Sequence, residues 1–236
     1  MAVLVDDVPT RVLAVYAHPD DPEVSSAGTL ARWVKAGAEV HLVICARGDK
    51  GSIDPAVVPA ELAQRRAGEV AAAASCLGLA GHRLLGMADG EIENTLAFRE
   101  QLVRIVREVR PDVVVCHDPT AVFFGSRYYN HRDHREVGWT MLDALAPAAA
   151  GPHYFPDAGA PHQVRTVFLS GSLQPDAWVD ITDTVEVKAE ALLCHKSQLH
   201  EAAEQVREVV RRRAEESGRQ AGVAYAEAYR LLRLSD

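Results

Sequence analysis

The chain has 236 residues, a length that fits one α/β domain able to fold without disulfide or metal staples. Its formal net charge of −8 argues against nucleic acid as the main partner, because phosphate binding wants clustered Lys and Arg. Beyond that the charge bears on solubility and steering rather than on fold.

In chain order, RVLAVYA (11–17) reads as a buried strand, followed by helical spacing over 23–35 with Gly37 as its stop. AEVHLVICA (38–46) is a second strand, and the Ala-rich stretch 59–77 a helix. A short strand near 82–85 precedes a turn at Asp89-Gly90. Residues 96–109 are amphipathic up to Pro111, and 112–117 form the next strand. The segment 118–133 has no periodicity and is too long for an ordinary connection, so it reads as a functional loop. Helical character returns over 134–145, and 146–163 is proline-rich irregular chain. Residues 164–170 and 177–182 are late strands, read as an antiparallel edge. The span 183–216 is helical and increasingly charged, and the last twenty residues are a further helix or a tail. Strands alternating with helices predict an α/β fold, a mostly parallel sheet flanked by helices, in a single domain over 1–236.

The four cysteines, Cys45, Cys76, Cys116 and Cys194, are scattered without a CxxC pair, and Cys45 and Cys116 read as buried small hydrophobes. The opening MAVLVDDVPT is acidic where a signal peptide is basic and then apolar. No apolar run approaches the roughly 20 residues that a bilayer span needs, so the expected setting is cytoplasmic.

The chemistry concentrates in AHPDDPE (17–23), where the first strand runs into the first helix. Ligands of open α/β sheets gather beyond the carboxyl ends of the strands, and catalytic zinc takes three His or carboxylate ligands and leaves a position for water. His18 and Asp21, three apart on a turn containing Pro19, can reach one ion, with Asp20 left as a base. The competing readings make Asp21 an N-cap before Pro22, or the whole cluster a salt-bridged turn. NHRDHREVG (130–138), beyond another strand end, offers a third ligand. Either His131 or His134 can complete the shell while the other donates to the reacting carbonyl, and Asp133 suits a ring N–H. Its bland alternative is a solvated, charged helix start.

Together, AHPDDPE and NHRDHREVG resemble the PIG-L/LmbE-like deacetylases, the family of the N-acetylglucosaminyl-phosphatidylinositol de-N-acetylase and of the bacterial mycothiol and bacillithiol pathway deacetylases. The resemblance runs from about residue 12 to 198. It takes in RGDKG (47–51), the Arg66 and Glu69 pair, the Asp-Gly turn at 89–90 and His-Lys-Ser-Gln at 195–198. It implies a Rossmann-like domain binding one zinc ion, held by His18, Asp21 and His134. It further implies Asp20 as general base, His131 as oxyanion stabiliser or acid, and Asp133 as partner of an active-site histidine. Pro22, where the family usually has a small or acidic residue, is expected to stiffen the turn without disturbing the ligands.

Substrate contacts are expected from Arg66, Arg127 and Asp49, although Arg66 equally suits ion pairing on a helix. Phe123, Phe124, Tyr128 and Tyr129 either offer a face to a sugar ring or pin their loop to the core, and His195 either reaches the site or is structural. The expected partner is a small N-acylated, sugar-like molecule, with self-association into a homo-oligomer left open. The reading is a zinc-dependent N-deacetylase. Its alternatives are an amidase for a larger acyl group or thiol conjugate, and a non-catalytic zinc- or sugar-binding module. A dinucleotide-binding protein is excluded, since the first β–α turn carries HPDD and no GxGxxG.

Overall fold

A computed structural model describes residues 3–199 and 202–234. The elements run β1 (Val3–Leu4), β2 (Arg11–Tyr16), α1 (Asp21–Ser25), α2 (Ala27–Lys35), β3 (Glu39–Ala46), α3 (Pro59–Cys76), β4 (Gly81–Met87), α4 (Leu96–Val109) and β5 (Val113–His117). A small hairpin, β6 (Phe123–Phe124) with β7 (Tyr128–Tyr129), leads into α5 (Arg132–Asp143). The chain ends with β8 (Thr166–Ser170), β9 (Ala177–Asp180), α6 (Val185–Leu192), α7 (Ala203–Ala221) and β10 (Ala226–Arg233).

Eight strands form one sheet in the order β1-β9-β10-β8-β5-β2-β3-β4. From β8 to β4 all neighbours are parallel, and β10 runs antiparallel between β8 and β9. β2 and β5 are almost wholly apolar because helices cover both faces of the sheet. Strand alternation decides what each residue packs against. Leu13 and Val15 join Phe98, Leu102, Val137 and Met141 under α4 and α5. Val12, Ala14 and Tyr16 join Leu30, Trp33, Val70, Val210 and Ala214 under α2, α3 and α7. After β2 the chain moves outward through β3 and β4, then crosses back to place β5 on the other flank of β2. That reversal makes the β2–β5 boundary the switch point where such sheets open a crevice.

Three expectations are corrected. The final stretch is a strand, β10, rather than a helix or tail: its Ala, Glu, Arg and Leu are good helix formers, but pairing with both β8 and β9 overrides that local preference. The antiparallel element is therefore β10, while β8 lies parallel to β5. The long helix expected over 183–216 is two, α6 and α7, separated by a turn at His195–Gln198 that Glu69 ties down through the Ser197 N–H (2.7 Å) and hydroxyl (2.6 Å). All four cysteines are free, with Cys45 and Cys116 buried. No helix among the described residues is long and apolar enough to cross a membrane. His200, set aside on sequence grounds, lies outside the described residues.

Candidate active site

The loops after β2 and β5 meet at the switch point. Asp21 opens α1 as its first helical residue, so the cap position falls on Asp20 and no side chain caps the helix. The N-cap reading of Asp21 is thereby replaced: its Oδ2 accepts the His18 backbone N–H at 2.7 Å. His18 Nδ1 lies 3.3 Å from Asp21 Oδ2 and 3.3 Å from His134 Nε2, and His134 Nε2 lies 3.2 Å from Asp21 Oδ1. Ligands about 2.0–2.2 Å from a tetrahedral ion stand about 3.3–3.6 Å apart, so the three groups have the spacing a divalent cation needs.

The far side of each imidazole fixes its tautomer. His18 Nε2 sits 3.2 Å from Asp133 Oδ2 and 3.2 Å from Asp89 Oδ1, so it carries the proton and leaves Nδ1 as a lone pair. Asp133 is fully buried and is held by the N–H groups of Gly90 (2.7 Å) and Ile92 (3.3 Å). His134 Nδ1 lies 3.1 Å from Asn130 Oδ1, and Asn130 is itself anchored by donating to the Ala121 carbonyl at 2.7 Å. His134 Nε2 is thereby the free lone pair. Both histidines present acceptor nitrogens beside a carboxylate, the donor chemistry of a zinc-type site.

Asp20 stands beside this group with φ 90° and ψ −25°, in the left-handed region where a non-glycine residue typically carries about 1–3 kcal/mol of strain. Burial and the negative charge of Asp21 push its carboxyl up to about 7, against the pull of the Arg66 guanidinium. His131 is the N-cap of α5, which starts at Arg132, two residues before the start expected at 134, and its Nδ1 accepts the Asp133 N–H at 3.2 Å. The ring proton therefore sits on Nε2. Partial burial lowers its pKa, so the ring is a neutral donor. His117 accepts the Ala17 N–H through Nε2 (3.1 Å) and stacks flat on His134 at 4.1 Å; burial and His134 push it down to about 4.

The expected substrate contacts have varied surroundings. Arg66 is buried, and its guanidinium donates to the carbonyls of Pro19 (2.5 Å) and Gly48 (3.2 Å) and to Asp20 Oδ2 (3.1 Å), so all three partners belong to the chain and its ion pair is a buried one. Asp49 is buried, accepts the Asp89 N–H (3.1 Å) and pairs with Arg47 Nε (3.0 Å), so it braces the 89–90 turn. Arg127 stands exposed at the hairpin tip. His195 is sealed behind the site, with Nε2 3.1 Å from Glu23 Oε2. The aromatic loop is not pinned to the core: Phe123 is 66% exposed and Tyr129 57%, while Phe124 and Tyr128 line a cavity. That cavity, about 740 Å³, runs from Asp21, His117 and His134 past Ser170 to Arg213 on α7.

Three residues of the cluster escaped the sequence reading. Asp89 carried a signal, the Asp-Gly turn after a strand. His117 stood at a strand end without a recognisable partner. Asn130 carried none, because an amide that orients a ring is indistinguishable in sequence from a turn residue.

Comparison with known proteins agrees with this geometry. A diacetylchitobiose deacetylase of Thermococcus kodakarensis is 31% identical over 226 residues, covering 94% of this chain and 83% of the relative. A 1D-myo-inositol 2-acetamido-2-deoxy-alpha-D-glucopyranoside deacetylase of Rhodococcus jostii is 32% identical, covering 80% of this chain and 82% of the relative. The solved structure of the N,N'-diacetylchitobiose deacetylase from Pyrococcus horikoshii superposes with a TM-score of 0.87 at 28% identity, covering 97% of this chain and 88% of that one. Residues 13–145, which carry both His–Asp clusters, match the family model described as PIG-L, GlcNAc-PI de-N-acetylase, and the chain belongs to that family.

Proposed function

We propose that this protein is a cytoplasmic, zinc-dependent hydrolase that removes an N-acetyl group from an amino sugar. The reading rests on one observation: His18 Nδ1, Asp21 and His134 Nε2 converge at ligand spacing, with both ring tautomers fixed from behind by Asp133 and Asn130. Two relatives, covered over 83% and 82% of their lengths, are named as deacetylases of N-acetylated sugars, which supports the substrate class. A bound zinc ion would supply Lewis acidity, lowering the pKa of water from 15.7 to about 7 and polarising the acetamido carbonyl.

The chain's own groups do the rest. Asp20 accepts a proton from the attacking water, a role worth about 10²–10⁴-fold when the base is well placed. His131 Nε2–H donates to the oxygen on which charge develops, and removing one such donor typically costs about 10²–10³ in rate. The water oxygen bonds to the carbonyl carbon, the carbon–nitrogen bond breaks, and acetate and a free amine leave. Asp20 and His131 are the two groups in place to return the proton to that amine. A binding module would have no use for a base held in strained backbone.

The test is acetate release from a panel of N-acetylated amino sugars, including diacetylchitobiose and N-acetylglucosaminyl-inositol, by protein of known metal content. Turnover with stoichiometric zinc supports the proposal. A zinc-loaded preparation inert toward the whole panel, or one that cleaves only longer acyl amides, ends it.

A further inference from the structure

The buried arginine of α3 has no part in the mechanism so far. From its position we infer that Arg66 is a positioning residue for the base, fixing both the backbone and the carboxylate of Asp20; this rests on the reading of Asp20 as the proton acceptor. The Arg66 side chain is 3% exposed, and one nitrogen, Nη2, donates at once to the Pro19 carbonyl (2.5 Å) and to Asp20 Oδ2 (3.1 Å). The first acceptor is the carbonyl of the peptide leading into Asp20, and the second is the side chain of Asp20 itself, the residue with positive φ. Left-handed backbone at a non-glycine residue persists only where its surroundings over-determine it. A planar, permanently charged fork buried against both acceptors supplies that constraint, which a single ammonium cannot reproduce.

The loop after β3 is shaped to admit this fork. Gly48 and Gly51 wrap the guanidinium: a Cβ on Gly48 would fall on Nη1, and one on Gly51 would lie 2.6 Å from the same atom. Nη1 in turn donates to the Gly48 carbonyl. The RGDKG run and the Arg66 position are thus one device, with the glycines making room and the arginine reaching through them to the base.

The inference is tested on the zinc-loaded full chain with Arg66→Met, Arg66→Lys, Gly48→Ala and the double variant Gly48→Ala/Arg66→Met, each checked for folding by thermal melting. A base displaced by about 1 Å typically loses about 100-fold in rate. The expected result for Arg66→Met is a loss of that order in kcat with little change in KM, and Arg66→Lys is expected to recover part of it. Gly48→Ala, which displaces the fork while keeping it, is expected to lower kcat as well. The double variant should fall no further than Arg66→Met, because both act through one contact. A crystal structure of Arg66→Met should show residue 20 out of the left-handed region. A rise in KM at unchanged kcat would make Arg66 a substrate contact and overturn the inference, as would additive losses in the double variant or an unmoved Asp20. Failure of the wild-type protein to deacetylate any substrate would instead strike the proposed function.

Discussion

Around β2 and β5 the strand ends are crowded with His and Asp, and nearly every one of these side chains is held by a second polar group behind it. Around β8, β9 and β10 the polar residues serve the sheet itself. Glu227 on β10 accepts the N–H groups of Gly28 (3.0 Å) and Thr29 (2.7 Å), the Lys188 ammonium and the Tyr229 hydroxyl, and it points no group at a reacting atom. The two regions share a sheet but divide the work: one carries reactive groups and the other supports them and walls the cavity. The difference teaches where a substitution will be felt. Near the switch point it changes metal binding and rate, and beyond β8 it changes stability.

The largest effect should come from His134→Ala, which removes a proposed ligand and the ring that stacks on His117. The expected outcome is loss of both bound metal and acetate release, read by elemental analysis and assay; a variant that keeps stoichiometric zinc would take His134 out of the ligand set. Asp20→Asn should cut turnover by about 10²–10⁴-fold while zinc stays bound, and normal turnover would reject Asp20 as the base. A smaller loss is expected at the groups that orient the rings. Asp133→Asn and Asn130→Ala should each lower metal affinity or kcat by about 10–100-fold, measured by metal competition and steady-state kinetics. Unaltered affinity and rate in both would mean the tautomers are fixed in some other way.

The same division governs what could be read in advance. HPDD and HxDH announce themselves because reactive side chains at strand ends come from a short list, and the β2 and β5 strands that carry them are continuous apolar runs bounded by clear turns. The orienting groups were harder. Asp89 reaches His18 from a different strand end, 71 residues along, and only the sheet order brings them to 3.2 Å. Arg66 read either as a substrate contact or as an ion-pairing helix residue, because nothing local shows that Gly48 and Gly51 open a passage for it to Asp20. β10 was hidden for a related reason: a run of Ala, Glu, Arg and Leu becomes a strand only because β8 and β9 offer it two edges.

The smallest effect on turnover, and the sharpest test of the divided labour, is expected at Glu227. Its carboxylate is 2.5 Å from Lys188 Nζ, and both side chains are buried, at 4% and 7% exposure. Glu227→Gln keeps an acceptor for only one of the Gly28 and Thr29 N–H groups at the start of α2, which bind different carboxylate oxygens, and leaves the Lys188 ammonium without a counter-charge. Breaking one partner out of a buried pair typically costs about 3–5 kcal/mol. Denaturant unfolding should show a loss of that order, and the double variant Lys188→Met/Glu227→Gln should recover part of it because no lone charge remains. The protein that stays folded should turn over at the wild-type rate, since Glu227 touches the His–Asp cluster only indirectly, through α2 and through Lys188, which donates to the Val24 carbonyl of α1. A fall in kcat at full stability would move this wall of the cavity into the active site and erase the distinction between the two regions.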